Sequence, residues 1–297
     1  MERKKFLKSA FIASGAIASG LTAKAILDNN NDELSPIESV KDPNLGFNHI
    51  PHSNSTINMN TVLHKSDSRG HADHGWLVSK HTFSFANYYN PDRMHFGVLR
   101  VLNDDYVAPG MGFGTHPHDN MEIISIPLDG DLEHKDSMGN VAVIKKGDIQ
   151  VMSAGTGITH SEYNKNKDKA VKFLQIWVFP NKRNVAPRYD QISLNLKDRE
   201  NRFQQILSPS AEDEGVWIHQ NAWFHLGSFQ SGKSSQYEIK SPNNGLYVFM
   251  LKGKANINGI EVSARDGLGI WNTTEPIQLE ATEDNEILLM DVPMNIG

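Results

Sequence analysis

The segment LDGDLEHKDSMGNVAVIKKGDIQV, residues 128–151, consists of short apolar runs separated by turn residues. Such runs favour β-strands, and KDSMGN at residues 135–140 is typical of a hairpin turn. The segment LKGKANINGIEVSARDGLGI, residues 251–270, repeats the same order of strand, glycine, strand, turn and strand. This weak internal repeat predicts two copies of one all-β module.

The remaining sequence from Thr61 onward shows the same pattern, with turn residues every eight to twelve positions and little helical periodicity. Val171 to Phe179 is nearly unbroken apolar sequence, as expected for a strand covered on both faces. Only residues 196–207 favour a short helix. The predicted fold class is therefore all-β, with two tandem β-barrel or jelly-roll domains.

The domain boundary is predicted at PNKRNVAPRYDQ, residues 180–191, because this stretch combines two prolines with a cluster of polar residues. Each half is large enough for a core of its own. The sequence thus predicts an N-terminal domain at residues 61–180, a linker at 181–191 and a C-terminal domain at 192–297.

The first residues differ from the rest of the chain. MERKKFLKSAFIASGAIASGLTAKA, residues 1–25, has a basic start, a mildly apolar stretch and a small-x-small end, which is typical of an export signal peptide. RKKFLK at residues 3–8 resembles a twin-arginine signal with Lys4 in place of the second arginine, so the route stays open. Residues 26–60 favour a flexible linker. We expect an exported, periplasmic or extracytoplasmic protein without stable membrane insertion after cleavage, or a cytoplasmic one if residues 1–25 are no signal.

Composition excludes several classes of site. The 297 residues contain no cysteine, which excludes disulfides, thiolate metal sites and iron–sulfur clusters. The formal net charge is −6, and without residues 1–25 it becomes −10, from 24 basic and 34 acidic side chains. An acidic chain of this kind does not favour nucleic acid as a partner.

Two segments place possible metal ligands at alternate positions. GFGTHPHDNMEIISIPLDG, residues 112–130, contains His116 and His118, and GDIQVMSAGTGITHSEYN, residues 147–164, contains His160 and Glu162. On a β-strand, residues i and i+2 point to the same face. Three imidazoles and a carboxylate suit one divalent ion such as iron(II), nickel, copper, manganese or zinc.

These segments carry a family resemblance. The first fits the cupin pattern G-x5-H-x-H-x3-E, read as Gly110, His116, His118 and Glu122. The second departs from the cupin pattern, with Ser153 for the usual proline and two extra residues before the histidine. In this altered form it resembles the pirin family of bicupins. The flanking segments RGHADHGWLVSKHTFSFANYYNP, FGVLRVLNDD and QIWVFP are similar to the bacterial branch of that family.

The resemblance implies one mononuclear metal site in the N-terminal barrel, held by His116, His118, His160 and Glu162. Glu122 is the rival carboxylate, since it is the ligand in ordinary cupins and has the strand parity of His118. The C-terminal module contains His219 and His225 but no H-x-H pair, so we expect it to serve in packing and as a lid.

The resemblance also implies quercetin 2,3-dioxygenase activity. A divalent ion with four protein ligands keeps two open positions, which suits a small aromatic or enolic substrate and dioxygen. Iron(II) is the favoured ion, and Glu162 is the expected catalytic base. Two alternatives stay open: a non-enzymatic metal or redox sensor that binds a partner protein, and a metal-dependent isomerase or hydrolase.

The other histidines of the N-terminal half are expected to be structural or surface groups; they are His64, His71, His74, His81, His95 and His134. His81 and Trp76 lie in family-like segments and can border the pocket. Gln150 and Met152 share a strand parity that allows them to face inward, with core packing as the favoured role.

Overall fold

The predicted all-β architecture is confirmed by a computed structural model, which describes residues 59–296. The strands up to residue 178 are β1 (Asn60–His64), β2 (Gly70–Asp73), β3 (Leu77–His81), β4 (Leu99–Val107), β5 (Gly112–His118), β6 (Glu122–Asp129), β7 (Asp131–Asp136), β8 (Val141–Lys145), β9 (Asp148–Ser153), β10 (Ile158–Asn164) and β11 (Val171–Val178). The later strands are β12 (Arg188–Ser193), β13 (Phe203–Ser208), β14 (Val216–Trp217), β15 (Trp223–Phe229), β16 (Ser234–Tyr237), β17 (Asn244–Lys252), β18 (Lys254–Ile257), β19 (Ile260–Ser263), β20 (Gly267–Trp271), β21 (Ile277–Ala281) and β22 (Asn285–Pro293).

Helical structure within residues 59–296 is limited to two 3-10 helices, Ser66–Ser68 and Leu196–Arg199. The helix predicted at residues 196–207 is thus a single turn, because Phe203 already begins β13. None of the helices in this part of the chain is long and apolar enough to cross a membrane.

The N-terminal barrel is made of two sheets. A seven-stranded sheet has the order β12-β9-β6-β11-β4-β3-β2, and a four-stranded sheet has the order β5-β10-β7-β8. Leu132 and Ile144 of the smaller sheet pack on Val107 and Phe173 of the larger one, so the two sheets enclose a common interior. The predicted hairpin turn lies between β7 and β8, where Gly139 adopts a φ of +96° that favours glycine.

The C-terminal barrel repeats this topology. Its seven-stranded sheet has the order β1-β20-β17-β22-β15-β13-β14, and its four-stranded sheet has the order β16-β21-β18-β19. From β15 to β22 each strand takes the place that the corresponding strand from β4 to β11 takes in the first barrel. The repeat inferred from residues 128–151 and 251–270 therefore reflects two equivalent barrels.

The two barrels exchange one edge strand each, which corrects the predicted boundaries. Residues 188–191, predicted as linker, belong to β12, which pairs with β9 of the N-terminal barrel. Asn60, predicted as the last residue of the flexible linker, begins β1, which pairs with β20 of the C-terminal barrel. The prolines were misleading because Pro187 stands just before β12, and proline is tolerated at the start of an edge strand.

A shared apolar core joins the barrels. Ile124 and Ile176 of the N-terminal large sheet belong to the same buried cluster as Phe224 and Leu288 of the C-terminal large sheet. Residues on β6 and β11 therefore alternate between this shared core and the interior of the N-terminal barrel. This alternation decides which side chains reach the candidate site.

Candidate metal centre

Three histidines meet on two adjacent strands of the small N-terminal sheet. On β5 and β10, His116 lies opposite His160 and His118 lies opposite Ile158. One nitrogen from each of the three imidazoles lies within 4.8 Å of the others. The ring centroids are 4.5 Å apart for His116 and His160 and 4.9 Å apart for His118 and His160. The structure thus brings together the three histidines that the sequence predicted as ligands.

The three imidazoles are set up as neutral donors. Burial lowers the pKa of His116, lowers that of His118 to about 3 and strongly lowers that of His160. His116 Nδ1 lies 2.8 Å from the Gly114 carbonyl oxygen, so it carries the proton and Nε2 keeps its lone pair. His160 Nε2 is buried without a hydrogen-bond partner. A buried lone pair of this kind fits a metal ion.

Glu162 is buried on the same strand as His160, but its carboxylate is hydrogen-bonded to side chains of the large sheet. Ser125 Oγ lies 3.2 Å from Glu162 Oε1, and Gln175 Nε2 donates to Glu162 Oε2 at 2.7 Å. The strand pairing shifts between His160 and Glu162, and the carboxylate lies outside the group of mutually close ligand atoms. Burial raises the pKa of Glu162 to about 7. Its role as fourth ligand stays a prediction.

Glu122 faces away from the histidines. Ser153 Oγ donates to Glu122 Oε2 at 2.7 Å, and the backbone N–H of His219 in the C-terminal half also bonds this carboxyl. The parity argument that linked Glu122 to His118 does not hold, because a turn with Asn120 at a φ of +45° separates β5 from β6. Glu122 shares its face of β6 with Ile124, which belongs to the shared core.

A continuous row of polar side chains crosses the large sheet opposite the histidines. We call it the polar row; in order of pairing it contains His81, Asn103, Gln175, Ser125, Gln150 and Gln191. Paired residues on neighbouring strands present their side chains on one face. Buried polar atoms of His81, Asn103 and Gln150 have no hydrogen-bond partner among the described residues. Gln150 therefore offers a free amide rather than packing alone.

An apolar wall lies beside the histidines. Ile123, Met152 and Ile158 pack with Trp177, which realises the packing role favoured for Met152. The Trp177 ring lies 4.9 Å from the His118 ring and 5.4 Å from the Phe85 ring. Trp177 Nε1 is buried without an acceptor. His118 and Trp177 are both partly exposed, so the site reaches the surface on this side.

The histidines assigned structural or surface roles differ widely in their surroundings. His71, His74 and His95 are exposed. His64 is buried, and its Nδ1 lies 2.8 Å from the Tyr247 hydroxyl. His81 belongs to the polar row, and its ring lies 5.2 Å from the Phe85 ring.

Trp76 and His134 both lie inside the N-terminal barrel. Trp76 packs on Phe113 with the cluster of Leu132 and Phe173. His134 is fully buried on β7, next to His160.

Sequence reasoning missed Ser125, Gln175 and Trp177 as parts of the site. A signal was present for Gln175, since it is the one uncharged polar residue in the apolar run Val171–Val178. A polar residue in a buried strand requires a partner, and here that partner is Glu162. Ser125 and Trp177 gave no comparable signal, because serine and tryptophan are common in strands.

The fold and site define a class: a bicupin protein with a three-histidine metal site in its first barrel. The family model described as Pirin matches residues 62–178, and the one described as Quercetinase C-terminal cupin domain matches residues 205–292. The chain belongs to the pirin family.

Relatives support this assignment over nearly their full length. The chain is 44% identical over 231 residues to a protein of Escherichia coli (strain K12) named quercetin 2,3-dioxygenase, covering 78% of this chain and 98% of that protein. It is 39% identical over 226 residues to a pirin-like protein of Caulobacter vibrioides, covering 76% and 96%. A crystal structure of the bacterial pirin YhhW from Escherichia coli in complex with nickel(II) matches with a TM-score of 0.75 and 42% identity, over 79% of this chain and 99% of that chain.

Proposed function

We propose that this chain is a metal-dependent dioxygenase of the pirin type that acts on flavonol-like enol or phenol substrates. The observation that carries the proposal is the group of His116, His118 and His160, whose nitrogens lie within 4.8 Å of one another in the first barrel. The relative named quercetin 2,3-dioxygenase, 44% identical, supports the choice of reaction and substrate class.

Iron(II) is the proposed native ion. Donor sets of imidazole with carboxylate suit iron(II) and leave positions open for oxygen chemistry, while nickel, copper, manganese and zinc can also bind such sets. When bound, the ion supplies a Lewis acid that lowers the pKa of a substrate hydroxyl group and an open position for oxygen donors. The nickel(II) in the related YhhW structure makes nickel a suitable probe ion for this site.

Glu162 is the proposed base for the substrate hydroxyl proton. Its pKa of about 7, raised by burial, lies near neutral pH, where a general base works best. Ser125 and Gln175 hold the carboxylate from the opposite sheet. For Glu162 to serve as fourth ligand as well, its carboxylate must turn from these two partners toward the histidines.

Trp177 and the polar row are the proposed substrate contacts. The indole ring and Phe85 form an apolar surface for an aromatic ligand next to His118. The unpaired N–H of Trp177 and the unpaired amide of Gln150 provide hydrogen-bonding groups for the oxygen atoms of such a ligand.

The reaction is tested by oxygen uptake with quercetin, using protein stripped of metal and then reloaded with iron(II) or nickel(II). We expect uptake only with metal and quercetin together. Quercetin turnover without oxygen would instead indicate an isomerase or hydrolase. Metal binding without any turnover would favour the sensor alternative.

The ligand set is tested by metal stoichiometry in three variants. We expect His116→Ala to lose the ion and Glu162→Gln to lose affinity, whereas Glu122→Gln keeps a full equivalent because Glu122 bonds Ser153 instead. Glu162→Gln with unchanged metal affinity and lost turnover would restrict Glu162 to the role of base.

We further propose that the protein is exported. The support is the signal-like pattern of residues 1–25, which lie outside the described residues. Cell fractionation with an active and an inactivated twin-arginine translocase tests both the export and its route. Full-length protein that stays in the cytoplasm in both cases would refute the proposal.

A further inference from the structure

A second histidine and a carboxylate lie directly behind the metal-facing histidine of β10. His134 and Asp136 are on β7, which pairs with β10, and both side chains are fully buried. His134 Nε2 lies 3.0 Å from Asp136 Oδ2. His134 Nδ1 in turn lies 3.5 Å from His160 Nδ1. These contacts form a chain from Asp136 through His134 to His160.

Asp136 is a fixed acceptor at the start of this chain. Its Oδ1 accepts hydrogen bonds from the backbone N–H groups of Met138 and Asn140, at 2.9 and 3.1 Å. Its Oδ2 accepts from the Asn140 side chain at 2.9 Å. With these donors around it, the carboxylate can only accept from His134 as well, so the proton of His134 resides on Nε2.

The positions of the protons on His134 and His160 follow from the role of Asp136 as acceptor. With its proton on Nε2 toward Asp136, the neutral ring of His134 has Nδ1 as its acceptor, and this atom lies against His160 Nδ1. His160 Nδ1 must then donate, which leaves the lone pair of His160 on Nε2. That nitrogen is the buried atom without a hydrogen-bond partner, and one ring nitrogen of His160 lies within 4.8 Å of those of His116 and His118.

Tyr189 of the exchanged strand β12 packs against the ring of His134. Its ring lies 4.7 Å from the His134 ring at an interplanar angle of 33°, and its hydroxyl donates to Gln191 at 2.7 Å. His134 is therefore held between Asp136 and an aromatic ring.

We propose that His134, oriented by Asp136, is a positioning residue that fixes the Nδ1–H tautomer of His160 and thereby presents the Nε2 lone pair of His160 to the metal ion. His116 obtains the same tautomer from the Gly114 carbonyl oxygen. Groups behind metal-bound histidines commonly act in this way. The inference rests on the proposed metal site but not on the dioxygenase reaction.

The direct test is the tautomer of His160 in metal-free protein, read from the ring nitrogens by 15N NMR. We expect Nδ1–H in the wild type and a shift toward Nε2–H in His134→Phe, which keeps a ring but removes the acceptor. Nε2–H in the wild type would overturn the proposal, whether or not the protein binds metal or turns over quercetin.

Nickel(II) titration of the same proteins provides the second readout. We expect His134→Phe to bind nickel about 10–100-fold more weakly, which is the usual effect of losing such a group. His134→Gln should recover much of the affinity, because its amide oxygen can accept from His160. Tyr189→Phe is the matched control, since it keeps the stacked ring and should leave affinity and tautomer unchanged.

A purely structural His134 gives a different pattern. His134→Phe and His134→Gln would then change the melting temperature while nickel affinity and the His160 tautomer stayed at wild-type values. That result would overturn the proposal. A wild type that binds no nickel would refute the metal site, and the tautomer would still decide the role of His134.

Discussion

The Trp177 ring contacts two rings from different parts of the N-terminal barrel, His118 on β5 and Phe85 in the segment after β3. Its N–H is buried without an acceptor, although buried indole groups usually find one. Such an atom beside a metal ligand is well placed to bind an oxygen of the substrate.

We therefore expect Trp177→Phe to weaken flavonol binding while leaving nickel or iron stoichiometry unchanged. The loss of one hydrogen bond of about 1 kcal/mol corresponds to roughly a fivefold rise in Kd for quercetin, measured anaerobically on metal-loaded protein. Trp177→Leu also removes the ring contact and should weaken binding further. Equal affinity in Trp177→Phe and wild type would show that the N–H does not bind the substrate.

At the level of residues, the sequence was sufficient for the histidines but not for the carboxylates. His116, His118 and His160 could be predicted because strand alternation holds within β5 and within β10 up to His160. On β10 the alternation continues through Glu162, whose pairing with β7 is regular, but an extra residue on β5 between Phe113 and His116 shifts the pairing of these two strands. The alternation is interrupted at the turn before Glu122. Bulges and turns of this kind depend on the neighbouring strand, so a single sequence does not reveal them.

Strand β5 can approach β10 closely because Gly112 has no side chain. A Cβ atom at Gly112 would lie 2.3 Å from the Glu162 carbonyl oxygen and 2.5 Å from Tyr163 Cα. We expect Gly112→Ala to push β5 away from β10 and separate His116 from His160. The cost should be about 1–3 kcal/mol of stability, with a clear loss of nickel affinity, measured by urea unfolding and by titration.

Gly114 provides the control for this prediction on the same strand. A Cβ atom there meets only the Tyr163 hydroxyl, at 3.8 Å, which is an ordinary contact. Gly114→Ala should therefore keep stability and nickel affinity, since the carbonyl that bonds His116 is also retained. Similar behaviour of the two alanine variants would contradict the close-approach argument.

At the level of elements, the strands and their repeat were predictable, but their partners were not. Turn residues and apolar runs locate β6 to β9 and β17 to β20 in the sequence. The exchange of β1 and β12 depends on which unpaired sheet edge each segment reaches in space. The free N–H and C=O groups of such an edge can pair with any suitable strand. Leu63 of β1 packs on the C-terminal barrel core, although it precedes the N-terminal barrel in the chain.

The shared core predicts that the two barrels unfold together. Ile124 in the first barrel and Phe224 in the second are both 0% exposed within one cluster. We expect Ile124→Ala to cost about 2–5 kcal/mol and Phe224→Ala about 3–5 kcal/mol, each shifting one common calorimetric transition. Two transitions, of which only one moves in each variant, would indicate barrels that unfold independently.

Glu122 also lies where the two halves meet, and its ionisation links their packing to pH. Burial raises the pKa of Glu122 from 4.5 to about 7 in the folded protein. Between these two values the folded state binds a proton that the unfolded state has released. Stability contributed by this group is therefore present at low pH and is lost as pH rises through about 7.

Glu122→Gln should remove this loss. The amide stays neutral at every pH, and the Ser153 hydroxyl can turn to accept from it, so the packing between the halves is kept. Relative to the wild type, we expect the metal-free variant to gain about 2 kcal/mol of unfolding free energy between pH 5 and pH 8.5. Urea unfolding of both proteins at the two pH values measures this gain. The buried histidines titrate in both proteins, so their contribution cancels in the difference between the two unfolding free energies. A stability difference that does not change with pH would mean that Glu122 stays ionised in the folded protein, with the N–H of His219 and the charge of Arg188 outweighing the effect of burial.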